Sequence, residues 1–141
     1  MVAKVEISAI LAMTALLASS AHAAAPVNGR WVTQEKNAVV EIYSCGANIC
    51  GKIAKFLVPP PQGAGQKDVN NPDKALRGRT LLGMNILSNF SAKGSQWNGT
   101  IYDPKAGKSY RSIIYKSTAG DLVVKGCIGP FCRTQKWVSA N

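Results

Sequence analysis

Histidine is almost missing from this chain: His22 is the only one in 141 residues. Acidic residues are also scarce, with seven Asp and Glu against seventeen Lys and Arg. The single histidine falls in a segment expected to be cleaved away. The mature chain would then hold no imidazole, which excludes Ser-His-Asp and Cys-His nucleophilic constellations. Beyond the first two dozen residues, no apolar run approaches the roughly 20 residues of a membrane-spanning helix, so no transmembrane segment is expected after cleavage. Runs of five or more like charges are absent too. The scattered bases read as solvated surface, and nucleic acid is not an expected partner.

The amino terminus reads as a secretory signal. Lys4 precedes an apolar stretch from Ile7 to Ala18, and Ala21-His22-Ala23 has the small-x-small pattern of a cleavage site. Residues 1–23 are thus expected to be a signal peptide and 24–141 a single β-barrel domain, periplasmic or secreted and monomeric. Cleavage removes Lys4 together with Glu6, so the net charge stays at +10. Six carboxylates remain: Glu35, Glu41, Asp68, Asp73, Asp103 and Asp121. A domain so basic is attracted to polyanions, and in an envelope these are anionic lipid headgroups and wall polymers.

Four cysteines in an exported chain imply two disulfides. Cys45-Gly-Ala-Asn-Ile-Cys50 and Cys127-Ile-Gly-Pro-Phe-Cys132 each bracket a turn-forming tetrapeptide between strand-like segments. Three connectivities are possible. Cys45–Cys50 with Cys127–Cys132 is expected, because each needs only its own hairpin to form. The spacing does not suit a zinc site.

About eight short strands follow the signal, with turn residues between them: 29–33, 38–44, 50–58, 81–87, 96–102, 109–116, 122–127 and 132–138. Such a meander predicts an all-β antiparallel barrel or sandwich. The long segment from Pro59 to Thr80 interrupts it. Within that segment Asn71-Pro72-Asp73 through Gly78 predicts one short helix, capped by Asn71, with Asp73 near its positive end and Arg77 near its negative end.

The oxygen-rich run Asp68 to Asp73 departs from a calcium loop, since Arg79 stands where the bidentate Glu belongs. No metal and no cofactor are expected. Arg77 and Arg79 could grip an anion in a fork, or pair internally with Asp68, Asp73 or Asp103. Internal pairing is the commoner use of such side chains.

In combination these segments resemble the bacterial domain of unknown function (DUF) 2147 family. The resemblance rests on Gly29-x-Trp31, Cys50-Gly-Lys-Ile53, Asp68-Val-Asn-Asn-Pro-Asp73, Leu76-Arg-Gly-Arg79, Tyr102-Asp-Pro104 and Cys132-Arg-Thr-Gln-x-Trp137. It implies a small antiparallel lipocalin-like barrel and no established activity. Gly29-x-Trp31 is also similar to the lipocalin signature, in which the tryptophan packs at the closed end near a basic residue of the last strand. Arg133 or Lys136 would take that part here. Gly29, Trp31 and Trp137 are the expected barrel anchors.

Three functions remain. The foremost is non-enzymatic binding of a small apolar or anionic ligand near the barrel mouth, by Asp68, Asn71, Asp73, Arg77, Arg79, Tyr102, Asp103 and Arg133. The second is an envelope interaction or structural protein engaging an anionic surface. The third is an enzyme using carboxylate chemistry at Asp103 or Asp73.

Overall fold

The computed structural model describes residues 22–141. The expected signal segment, apart from His22 and Ala23, lies outside the described residues. Eight antiparallel strands close into a barrel in which every strand pairs with its neighbours in sequence and β1 meets β8. They are β1 (Gly29–Val32), β2 (Ala38–Cys45), β3 (Asn48–Phe56), β4 (Asn85–Lys93), β5 (Gln96–Asp103), β6 (Lys108–Lys116), β7 (Leu122–Ile128) and β8 (Phe131–Ser139). β-Branched and aromatic residues fill these strands, and Gly46, Gly94, Gly120 and Gly129 supply positive φ at the short reversals between them.

This connectivity gives the barrel two unlike ends. One end is filled. Trp31, Ile42, Ile49, Phe90, Ile114 and Leu122 pack there as one buried cluster. The segment ahead of β1 crosses beneath them. Val27 is fully buried, its carbonyl accepts from Trp31 Nε1 at 2.9 Å, and the Ala25 carbonyl accepts from Trp97 Nε1 at 3.0 Å. Trp31 is therefore at the closed end, and its cation is Lys116 of β6, with Nζ 5.9 Å from the ring centroid. Neither Arg133 nor Lys136 serves. Lys136 pairs with Asp121 at 3.1 Å, and Arg133 sits toward the opposite end of β8.

Two glycines make the filled end possible. A Cβ on Gly99 would stand 2.6 Å from Phe90 Cγ, and one on Gly51 would stand 2.8 Å from Leu87 Cδ1. Their missing side chains let β4 lean inward. β4 is itself kinked where its register with β5 shifts between Ser88 and Ser91, and Asn89 takes a φ of 57° there. On the outer wall Glu41 lies between Arg30 at 3.1 Å and Lys52 at 3.5 Å. The Arg30 hydrogen bond, aided by Lys52, holds its carboxyl below the usual range.

The disulfides are Cys45–Cys50 and Cys127–Cys132. The first clasps the β2–β3 hairpin at the closed end and the second the β7–β8 hairpin at the open end. With loops this short, chain entropy assigns each about 2 kcal/mol.

The short helix expected after Asn71 is a single 3-10 turn at Lys74–Leu76, with another at Gly63–Gly65. Two details need correction, the first being its cap: Asp73, not Asn71, caps the turn, its Oδ1 accepting the Ala75 N–H at 3.0 Å. The stretch between Pro72 and Gly78 is too short to repay helix nucleation. The fourth strand also starts later than its apolar run. Leu81 to Met84 form a loop against the core, and the strand proper continues through the mostly polar Ser88 to Lys93, where only Phe90 is buried.

Candidate ligand-binding site

The open end leads into a cavity of about 1040 Å3. This is at the upper limit of volumes common for small-molecule sites. Its walls are inward-facing side chains of β2 to β8, among them Val40, Ile53, Ile86, Ile101 and Val124, with Trp137 at the floor. Trp137 is buried, and its Nε1 donates to Gln135 Oε1 at 2.8 Å. The upper half of the barrel is thus apolar space above a tryptophan.

Alternation along β8 sets the polarity of this space. Phe131, Arg133, Gln135 and Trp137 are spaced by two and all line the cavity, from mouth to floor. At about 3.3 Å per residue, Arg133 stands roughly 13 Å above Trp137. Arg133 has no hydrogen-bond or ion-pair partner among the described residues. Tyr110 of β6 is also a polar residue of the wall. Between Val124 and Ile128 on β7 stands Gly126, which leaves the wall bare there.

The long β3–β4 loop is fastened over one side of the mouth by a buried acidic latch. Asp68 is 1% exposed. Tyr102 Oη donates to its Oδ1 at 2.6 Å, Asn71 Nδ2 to its Oδ2 at 2.8 Å, and Arg79 Nη2 to Oδ2 at 3.4 Å. Asn70 Nδ2 reaches the Lys105 carbonyl at 3.1 Å, and a Cβ on Gly107 would overlap the Asn70 carbonyl oxygen. Only glycine lets the loop lie this close to the β5–β6 turn. Across the rim, Lys105 Nζ meets Glu35 of the β1–β2 loop at 3.1 Å. Both are exposed, so the pair adds at most about 1 kcal/mol.

The residues singled out from sequence therefore divide. Tyr102, Asp103 and Arg133 line the cavity. Asp68, Asn71 and Arg79 form the latch. Asp73 caps the 3-10 turn, and Arg77 Nε donates to the Asn71 carbonyl at 2.7 Å. Asp103 Oδ1 accepts the Lys105 N–H at 3.0 Å and so shapes the β5–β6 turn. Gly126, Phe131 and Gln135 were not anticipated, although the two-residue spacing on β8 was a readable signal. Among the described residues no group of three or more His, Cys, Asp or Glu could hold a metal, and no helix is long and apolar enough to cross a membrane.

Burial pushes the Tyr102 phenol from 10.0 up to about 12, and the adjoining Asp68 carboxylate adds to the shift. The unfolded chain releases this proton near pH 10 while the folded chain holds it, so stability is expected to fall as pH rises between about 10 and 12. Urea unfolding at about pH 9 and about pH 11 should show a steeper loss for the wild type than for Tyr102→Phe.

An eight-stranded antiparallel barrel, sealed at one end and open at an apolar cavity at the other, is a lipocalin-like architecture. A solved structure shares it: the Helicobacter pylori protein HP1028, described as belonging to the lipocalin family. It matches with a TM-score of 0.72 and 22% identity, over 82% of this chain and 84% of that one. By sequence, the chain belongs to the DUF2147 family, described as an uncharacterized protein conserved in bacteria, whose profile matches residues 29–139. No curated protein matches the chain.

Proposed function

We propose that this protein binds a small amphiphile outside the cytoplasm, in the periplasm or as a secreted protein. The apolar body of the ligand lies in the barrel above Trp137, and its anionic group meets Arg133. The observation that carries this is an unpartnered guanidinium on the inward face of β8, in a mainly apolar cavity of about 1040 Å3. A charge-assisted hydrogen bond at such a site is worth about 1.5–3 kcal/mol. Two disulfides, both suited to an oxidising compartment, support the location.

Calorimetric titration with dodecanoate and dodecanol, below their aggregation limits, tests the reading. Dodecanoate is expected to bind about tenfold tighter or more. Arg133→Ala should erase that preference and leave the alcohol's affinity in place. Equal affinities in the wild type, or no binding of either chain, would overturn the proposal.

A further inference from the structure

Exposed apolar side chains are not spread evenly over this barrel. Leu57, Val58, Val69, Ile128 and Phe131 all stand at the open end, while Val138 on the outer wall is the other large one among the described residues. Ile128 and Phe131 are 70% and 80% exposed. They flank Gly129-Pro130 at the tip of the β7–β8 hairpin, and Cys127–Cys132 clasps that tip from behind. A stiff reversal offering an aliphatic and an aromatic side chain to water gains nothing for the fold.

Cations share this end. Lys67, Lys105 and Arg133 line the mouth, and Lys67, like Arg133, has no side-chain partner among the described residues. Arg111 Nη2 donates to the Gly129 carbonyl at 2.9 Å, which draws another positive charge beneath the apolar tip. The acids nearby are engaged: Glu35 with Lys105, Asp68 in the latch, and Asp103 with a backbone N–H.

We propose that the open end of the barrel docks on an anionic lipid bilayer. Phe131, Ile128, Val58 and Val69 enter the interfacial layer, and Lys67, Lys105 and Arg133 lie among the headgroups. Charge complementarity decides for this partner. A net charge of +10 favours a polyanionic surface, and apolar side chains ringed by Lys and Arg match the depth profile of a bilayer interface. The proposal does not rest on the ligand reading, since docking uses the rim and needs no occupant in the barrel. Were both correct, an amphiphile would pass between membrane and cavity without crossing water.

Flotation with phosphatidylglycerol-containing vesicles, against pure phosphatidylcholine vesicles, tests it with no amphiphile added. The full protein should partition to the anionic vesicles at least about tenfold better, and salt near 1 M should remove most of that advantage. Ile128→Ser with Phe131→Ser should weaken binding about tenfold or more. Val138→Ser, exposed but away from the mouth, should match the wild type. Absent vesicle binding, equal binding to both lipids, or an unaffected double variant would each overturn the proposal. So would sedimentation as a dimer that the double variant converts to monomer, because the tip would then be covered by a second copy. Dodecanoate calorimetry is independent of these readings, so failure of one proposal leaves the other standing.

Discussion

Gly126→Phe is expected to abolish uptake of an apolar probe and leave the barrel folded. Gly126 lies on the inward face of β7, and its backbone is not in the left-handed region. A Cβ there would meet Ile101 Cγ2 at 3.7 Å and Tyr110 Cβ at 4.0 Å, both ordinary contacts. The first carbon fits without strain, and the ring beyond it has nowhere to go but the cavity. The contrast with Gly51 and Gly99 is direct, because a Cβ at either would strike the core at under 3 Å. Titration with the uncharged dye N-phenylnaphthylamine should show affinity reduced by tenfold or more, a loss of at least about 1.4 kcal/mol. Circular dichroism and the urea midpoint should stay close to those of the wild type. Unchanged dye affinity would place the probe outside the barrel.

Asp68→Ala should be the most destabilising single change at the mouth. Three donors converge on this carboxylate. Arg79 is half exposed and would regain water, but the Tyr102 hydroxyl and the Asn71 amide would each lose a partner in a confined space. At about 1–3 kcal/mol for each stranded group, a loss of roughly 2–4 kcal/mol is expected in urea unfolding. Asp68→Asn should rescue part of the loss. Its amide oxygen can still accept from Asn71 and Arg79, and its NH2 can donate to Tyr102 Oη, because a phenol accepts as well as donates, but the charge is gone. Because the latch fastens the β3–β4 loop, limited proteolysis of both variants should cut first between Leu57 and Met84. Wild-type protease resistance in Asp68→Ala would show that the loop is held by other contacts.

What could be read from the sequence was local. The two cysteine hairpins announce themselves by spacing, and β2, β6 and β7 by their β-branched runs. Trp31 was legible as a closed-end residue through its resemblance to the lipocalin signature. Its cation was not, because Lys116 reaches it only through closure of the wall. β4 was misread at its start for a related reason. Leu81, Leu82 and Met84 are apolar because the loop packs on the core, while Ser88 to Lys93 is mostly polar and makes a strand by pairing, with Phe90 alone turned into the core. The acidic loop residues were singled out as a group, but which of them face a ligand depends on tertiary contacts. Asp68 stood in sequence both as a candidate ligand-binding acid and as an internal partner for Arg77 or Arg79; it pairs with Arg79 and also takes the Tyr102 hydroxyl, which arrives from a strand 34 positions away.

The shortest seam in the wall of this barrel joins β1 to β8. β1 and β8 share only two residue pairs, Trp31 with Ser139 and Val32 with Val138, whereas β5 and β6 share seven. Both covalent bridges lie within single hairpins, so neither sews that seam shut. The cylinder therefore has a built-in line of parting where first strand meets last. A bulky guest could spread the staves along it and let them spring back, with each sulfur pair intact throughout.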